Sequence, residues 1–197
     1  MKFSKIVLFQ EGENITDFAA ARNEALKKAK GDWILFLDTD EKISPALATE
    51  IKNLVPKFNG YYLKRDDYFF GRWLKFGETA NVRLVRLARK DSGKWSGKVH
   101  EVWKINGPIG ELKNPLQHYP HPSIKRFVDK INHYTDIAHK DRKFKYFELL
   151  YPAAKFFQNY ILRLGFLDGL AGFVMAFMMS FQSLITRVKQ YDFIKNL

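Results

Sequence analysis

The chain has 197 residues, of which 46% are hydrophobic and 16% aromatic, with no cysteine and a formal net charge of +12. That length and apolar share suit one medium globular domain with a hydrophobic core, not a disordered chain. The missing cysteines exclude disulfides, thiolate zinc sites and cysteine nucleophiles. The positive charge points to polyanionic partners such as nucleic acid, anionic lipid or phosphorylated substrates; no zinc-finger spacing or RNA-binding aromatic signature accompanies it, which weighs against nucleic acid.

The first region, from Met1 to about Phe58, reads as α/β. Lys5–Phe9 is a short apolar run that suits a strand and is too short for the core of a signal peptide. Asp17–Lys30, rich in Ala, Leu, Glu and Lys, predicts a helix with Thr16 as N-cap and Gly31 as its stop. Trp33–Leu37 is a run of five apolar residues, as expected of a strand buried on both faces. Asp38-Thr39-Asp40-Glu41 follows at once, and Ser44-Pro45 opens another helix with Ser as N-cap and Pro in the first turn. Strand, helix, strand, helix implies parallel pairing with helical crossovers, and ligands of such sheets bind beyond the carboxyl ends of the strands. Asp38 and Asp40 stand there.

From about Asn59 to His121 the chain is rich in aromatics, Gly and Arg. Tyr61–Lys64 and Arg83–Arg89 predict strands, and Gly71, Gly77, Gly93, Gly97, Gly107 and Gly110 predict turns. From Pro122 onward the pattern is helical. Phe147, Leu150, Tyr151, Ala154, Phe157, Ile161 and Leu164 recur at helical spacing, with Lys145, Lys155 and Arg163 off that stripe. This fits an interfacial helix or a helix packed on the core; Pro152 either kinks it or starts a second helix. Gly165–Leu184 is nearly all apolar and, at roughly 20 residues, long enough to span a bilayer. Asp168 and the glycines crowding one end favour a helix lying in the interface over a true span, with a buried soluble helix as the third reading. Arg187 and Lys189 then suit a cytoplasmic flank.

Two carboxylates one residue apart in a tight turn after a strand can reach one hard divalent cation, which prefers oxygen ligands and bridges to diphosphate oxygens. Alone, such a tripeptide is also what a solvated loop looks like. Its context is Ala21-Arg22-Asn23-Glu24-Ala25-Leu26 and Ala29-Lys30-Gly31-Asp32-Trp33 running into Asp38-Thr39-Asp40-Glu41. Further along stand Arg83-Leu84-Val85-Arg86, Trp95-Ser96-Gly97-Lys98-Val99-His100-Glu101, His118-Tyr119, Lys130-Ile131-Asn132-His133-Tyr134 and Gly165-Phe166-Leu167-Asp168-Gly169. Taken in order, these resemble the family-2 inverting glycosyltransferases of the GT-A fold, closest to the branch with lipopolysaccharide core glucosyltransferases.

The resemblance implies an α/β, GT-A-like (Rossmann-like) mixed sheet with flanking helices over residues 1–121, and a helical, membrane-associating region over 122–197. It implies sugar transfer from a nucleotide-sugar donor to a lipid-linked or polysaccharide acceptor at the cytoplasmic face of the cell membrane, with Mg²⁺ or Mn²⁺. Glu101 would be the general base; Arg22, Asn23, Asp38 and Trp95 would meet the nucleotide-sugar. Asp38, Asp40 and His118 would meet the metal, and His100 and Trp103 the acceptor. Core packing is the alternative for both tryptophans, a helix-surface arginine for Arg22, and a surface strand end for the His100-Glu101 pair. The family pattern normally begins with a longer N-terminal α/β portion carrying further nucleotide contacts, so a homo-oligomer or a complementing chain is expected to supply the rest of the pocket. The rival expectations are a catalytically weak remnant that binds a membrane or partner, and a basic nucleic-acid-binding protein.

Overall fold

The computed structural model describes residues 3–8, 15, 17–97, 101–138 and 146–195. These form two compact units. The first runs to Asp66 and resumes over Val82–His118; the second comprises Asp67–Asn81 and the chain from Tyr119 onward. The segment 67–81 thus groups with the helical part of the chain.

In the first unit, β1 (Phe3–Leu8) pairs in parallel with β2 (Trp33–Asp38) through the crossover helix α1 (Phe18–Lys28). The expected N-cap, Thr16, lies outside the described residues; Asp17 caps α1, its carboxylate accepting the amide of Ala20 at 2.8 Å. The helix ends at Ala29, which turns to extended backbone two residues before the expected stop at Gly31. Ser44 and Pro45 start α2 (Pro45–Lys52) as read from sequence, with Ser44 Oγ accepting the amide of Leu47. On its other side β2 meets β6 (Arg83–Arg89) in antiparallel register, because the chain enters β6 from the neighbouring antiparallel strand β4 (Gly60–Phe69). The sheet is thus mixed. Its order is β1-β2-β6-β4-β10-β3, with β3 spanning Glu41–Ile43 and β10 Leu116–His118.

Strand alternation explains the buried run in β2. Trp33, Leu35 and Leu37 point to one face and pack with Leu47 and Ile51 of α2. Ile34 and Phe36 point to the other and pack with Ala19 and Leu26 of α1. A strand covered by a helix on each face needs apolar side chains in both phases. The α1 side is completed by the hairpin of β7 (Gly93–Ser96) and β8 (Val102–Ile105). Gly93 is required there by space alone: a Cβ would lie 1.9 Å from the carbonyl oxygen of Lys104.

In the second unit, β5 (Arg72–Trp73) pairs with Tyr68 and Phe69 at the end of β4. Its core joins Phe69 and Leu74 to Phe127 and Ile131 of α3 (Ile124–Ala138) and to Ala171, Met175 and Met178 of α5 (Gly169–Lys195). Between α3 and α5 lie a 3₁₀ turn (Tyr146–Leu150), α4 (Tyr151–Phe157), a π-helical turn (Gln158–Leu162) and a second 3₁₀ turn (Gly165–Asp168). Pro152 sits in the first turn of α4, so it starts a helix, as one of its two readings required. Asp168 is fully buried: one carboxylate oxygen accepts the amides of Lys75 and Phe76, both at 2.9 Å, and the other lies 3.5 Å from Arg72.

Candidate active site at the carboxyl end of β2

The chain leaves the sheet at Asp38, turns through Thr39 and Asp40, and re-enters it at Glu41. The turn is locked from inside. The amide of Asp38 donates to Glu41 Oε2 at 3.1 Å, and Arg86 Nη2 donates to both Asp38 Oδ2 at 2.5 Å and Glu41 Oε1 at 2.9 Å. The remaining oxygen of Asp38 accepts from Arg22 Nη2 at 2.7 Å, while Arg22 Nε donates to Glu101 Oε1 at 2.8 Å. The guanidinium of Arg22 stacks 4.6 Å above the Trp95 ring. Two buried arginines thus hold three carboxylates, and every short contact is a charge-assisted hydrogen bond.

Burial pushes the Asp38 carboxyl up, but the charges of Arg86 and Arg22 and their hydrogen bonds outweigh it and hold the group below its ordinary range. For Arg86, burial acts downward; Glu41 and Asp38 overcome it and raise the guanidinium above its ordinary value. Both groups stay charged at neutral pH.

Asp40 lies outside this network of ion pairs. Its Oδ2 is 3.4 Å from His118 Nε2. The pairing of β10 with β3 brings them together, because His118 stands directly opposite Glu41. Among the described residues no cluster of three or more His, Asp or Glu side chains is arranged to hold a metal ion. The Asp40–His118 pair nevertheless offers one carboxylate and one imidazole. That donor set fits Mn²⁺, and it fits a hard cation that keeps waters and takes its other oxygens from a diphosphate. Asp38 has the same side-chain exposure as Asp40, 27%, and each of its oxygens accepts one guanidinium hydrogen bond.

Other expected site residues have different positions. Trp95 and Trp103 are 4% and 2% exposed, stacked on each other at 5.3 Å with the edge of Phe36 against both. No ring face is open to a sugar, and core packing is the reading the structure supports. Asn23 uses both ends of its amide on the Trp95 backbone, donating at 3.0 Å and accepting at 2.9 Å, and so clips α1 to β7. Arg22 is 2% exposed and is no surface arginine. His100 lies outside the described residues. Sequence reasoning gave no role to Glu41 or Arg86. The available signal was a charge in the middle of β6, between apolar neighbours, where a buried guanidinium needs partners. A recess of about 590 Å³ lined by Lys30, Asp32, Asn59, Arg89, Lys90 and Asp91 lies by the opposite end of β2. It is away from the strand ends where such sheets bind ligands, and none of the paired acids line it.

A sheet with α1 and α2 on its two faces, and acids gathered past the carboxyl end of a central strand, has the architecture of α/β proteins, whose ligands bind at that edge. The family model described as "Glycosyl transferase family 2" matches residues 2–103. The chain belongs to that family, and its fold is the family's GT-A fold. A lipopolysaccharide core biosynthesis glycosyltransferase of Rhizobium meliloti is 23% identical over 187 aligned positions, 89% of this chain and 69% of that protein. An uncharacterised glycosyltransferase of Rickettsia typhi is 25% identical, covering 80% of this chain and 61% of its own length. A TPR repeat-containing protein of Synechococcus elongatus is 36% identical over 75 positions, which is 37% of this chain and 17% of that protein.

Proposed function

We propose that this glycosyltransferase is inverting and moves a sugar from a nucleotide-sugar to a lipid-linked or polysaccharide acceptor at the cytoplasmic face of the cell membrane. The observation that carries this is the gathering of acids at the strand-end turn: Arg22 and Arg86 hold Asp38, Glu41 and Glu101, and the β3–β10 pairing sets His118 beside Asp40. The similarity to a protein named for lipopolysaccharide core biosynthesis supports the acceptor class.

Asp40 and His118 are the residues that would hold Mg²⁺ or Mn²⁺. The cation would supply charge neutralisation for the departing diphosphate. Asp38, with its carboxylate held between two arginines, fixes the turn from which Asp40 projects. Glu101 accepts the proton of the acceptor hydroxyl. The hydroxyl oxygen forms the new bond to the anomeric carbon from the face opposite the leaving group. The bond from that carbon to the diphosphate oxygen breaks, and its electron pair leaves with the nucleoside diphosphate. Arg22 holds Glu101 through Nε, so it sets where the base stands.

Release of nucleoside diphosphate from a panel of UDP-, GDP- and ADP-sugars in the presence of Mn²⁺ tests this reading. Turnover with at least one donor is expected, reduced by two or more orders of magnitude in Glu101→Gln, as befits loss of a general base. No turnover with any donor, or full turnover in Glu101→Gln, would count against it.

A further inference from the structure

The apolar surface of the helical unit is distributed in an unusual way. On α5, Leu170, Phe173, Phe177, Leu184, Val188 and Tyr191 are all exposed. They recur at intervals of three, four or seven residues, so they form one stripe along about 32 Å of helix. The residues behind them, Ala171, Met175 and Met178, are buried against α3. A second exposed set lies on the segment before α5, where Phe147 and Leu150 are 69% and 74% exposed and Phe157 and Leu162 are also open. The two sets join. Ser180 Oγ donates to the carbonyl oxygen of Pro152 at 2.6 Å, and Phe156 and Tyr160 both pack on Phe173. Soluble proteins rarely leave so continuous an apolar face uncovered.

Among the described residues one helical stretch, Gly165–Asp192, is long and apolar enough to cross a bilayer by length and composition. Its inward face argues against crossing. Asp168 at its start is held by the amides of Lys75 and Phe76. Near its other end Arg187 is buried, donating to Ser183 and stacked 4.4 Å over Tyr151. A spanning helix would have to abandon these contacts and carry the polar groups into hydrocarbon.

Charge selects the occupant. The chain carries a net charge of +12, and the exposed Arg163 stands between the exposed Leu162 and Leu164 of the apolar segment. Basic residues beside an aromatic and leucine-rich face match the headgroup region of an anionic bilayer. A second copy of the chain pairing along the α5 stripe would leave the Phe147, Leu150, Phe157 and Leu162 set uncovered, whereas a fluid planar surface covers both.

We propose that the helical unit docks on an anionic lipid surface through this joined face, with α5 lying in the plane of the membrane and not across it. This deepens the membrane location given above and rests on it, but not on sugar transfer. The test is flotation of the full chain with vesicles of phosphatidylethanolamine and phosphatidylglycerol, against vesicles of phosphatidylcholine alone, without nucleotide. Flotation with the anionic vesicles is expected, stripped by alkaline carbonate, and reduced at least tenfold in Leu170→Glu/Phe177→Glu at an unchanged thermal midpoint. Because the chain has no cysteine, single thiols carrying a polarity-sensitive dye give a second readout. Labels at Leu162→Cys and Phe177→Cys are expected to shift to the blue on anionic vesicles, and one at His133→Cys on α3 is not. Failure to float, retention after carbonate, equal shifts at all three positions, or a dimer that buries the labels without lipid would each overturn the proposal. A chain that floats but turns over no nucleotide-sugar would defeat the catalytic reading and leave this one standing.

Discussion

Both compact units bury charge, with Asp168 and Arg187 inside the second, but they differ in where their charged clusters and apolar surfaces lie. The first buries charge: Arg22, Arg86 and Glu41 lie inside it, tied to Asp38 and Glu101. The second exposes apolar surface: Phe147, Leu150, Phe177 and their neighbours face outward. A buried charge is retained at a cost only where its geometry matters, and an exposed apolar face persists only where something other than water meets it. On the two proposals made above, the contrast separates a unit that holds a reacting geometry from one that meets a lipid surface.

The comparison would break most visibly at Arg86. Arg86→Met leaves Asp38 and Glu41 buried and facing each other without their shared cation. The expected loss is about 3–5 kcal/mol in denaturant unfolding, as for one partner removed from a buried pair. A loss under about 1 kcal/mol would mean that the charges are effectively solvated. Trp103→Ala, which empties the ring stacked on Trp95 and Phe36, is expected to cost a similar ~3–5 kcal/mol. A sugar-stacking tryptophan would cost affinity and little stability.

Acid sensitivity sharpens the same point. The carboxyl of Asp38 is held below its ordinary value in the folded chain. Its contribution is therefore fully present above the unfolded value of about 3.9 and is lost as pH falls through the lower folded value. In metal-free protein, Arg22→Gln raises the folded value toward the unfolded one. The mutant's stability deficit is expected to be largest at neutral pH and to shrink below about pH 4. Urea midpoints between pH 3 and 7 check this; a deficit constant across that range would remove the ion pair from the account. The smallest effect is expected on the outer face of the helical unit. Phe177→Glu alone should change unfolding free energy by no more than about 0.5 kcal/mol, like other surface changes. A large loss would show that the face is covered by protein.

What was legible in the sequence was whatever local periodicity and capping dictate. The apolar run of β2, the Ser44-Pro45 helix start and the bounds of β6 follow from a handful of adjacent residues. The pairing of Asp38 with two arginines was not legible, because Arg86 is 48 residues away and arrives only through the antiparallel pairing of β6 with β2. Trp95 and Trp103 look alike to sequence whether they stack on a sugar or on each other; the β7–β8 register decides it by setting them opposite one another. The stripe from Phe147 to Leu164 has helical spacing, yet α4 is interrupted by a π-helical turn and the stripe faces outward, which spacing alone does not determine.

The most direct test of the central claim is calorimetric titration of the chain with UDP, with and without Mn²⁺, beside Asp40→Asn. The account predicts binding that requires Mn²⁺ and disappears in Asp40→Asn at unchanged thermal stability, with the metal held by Asp40 and His118 outside the Arg22–Asp38–Arg86 network. Binding that is indifferent to Mn²⁺, or that survives Asp40→Asn, would contradict it.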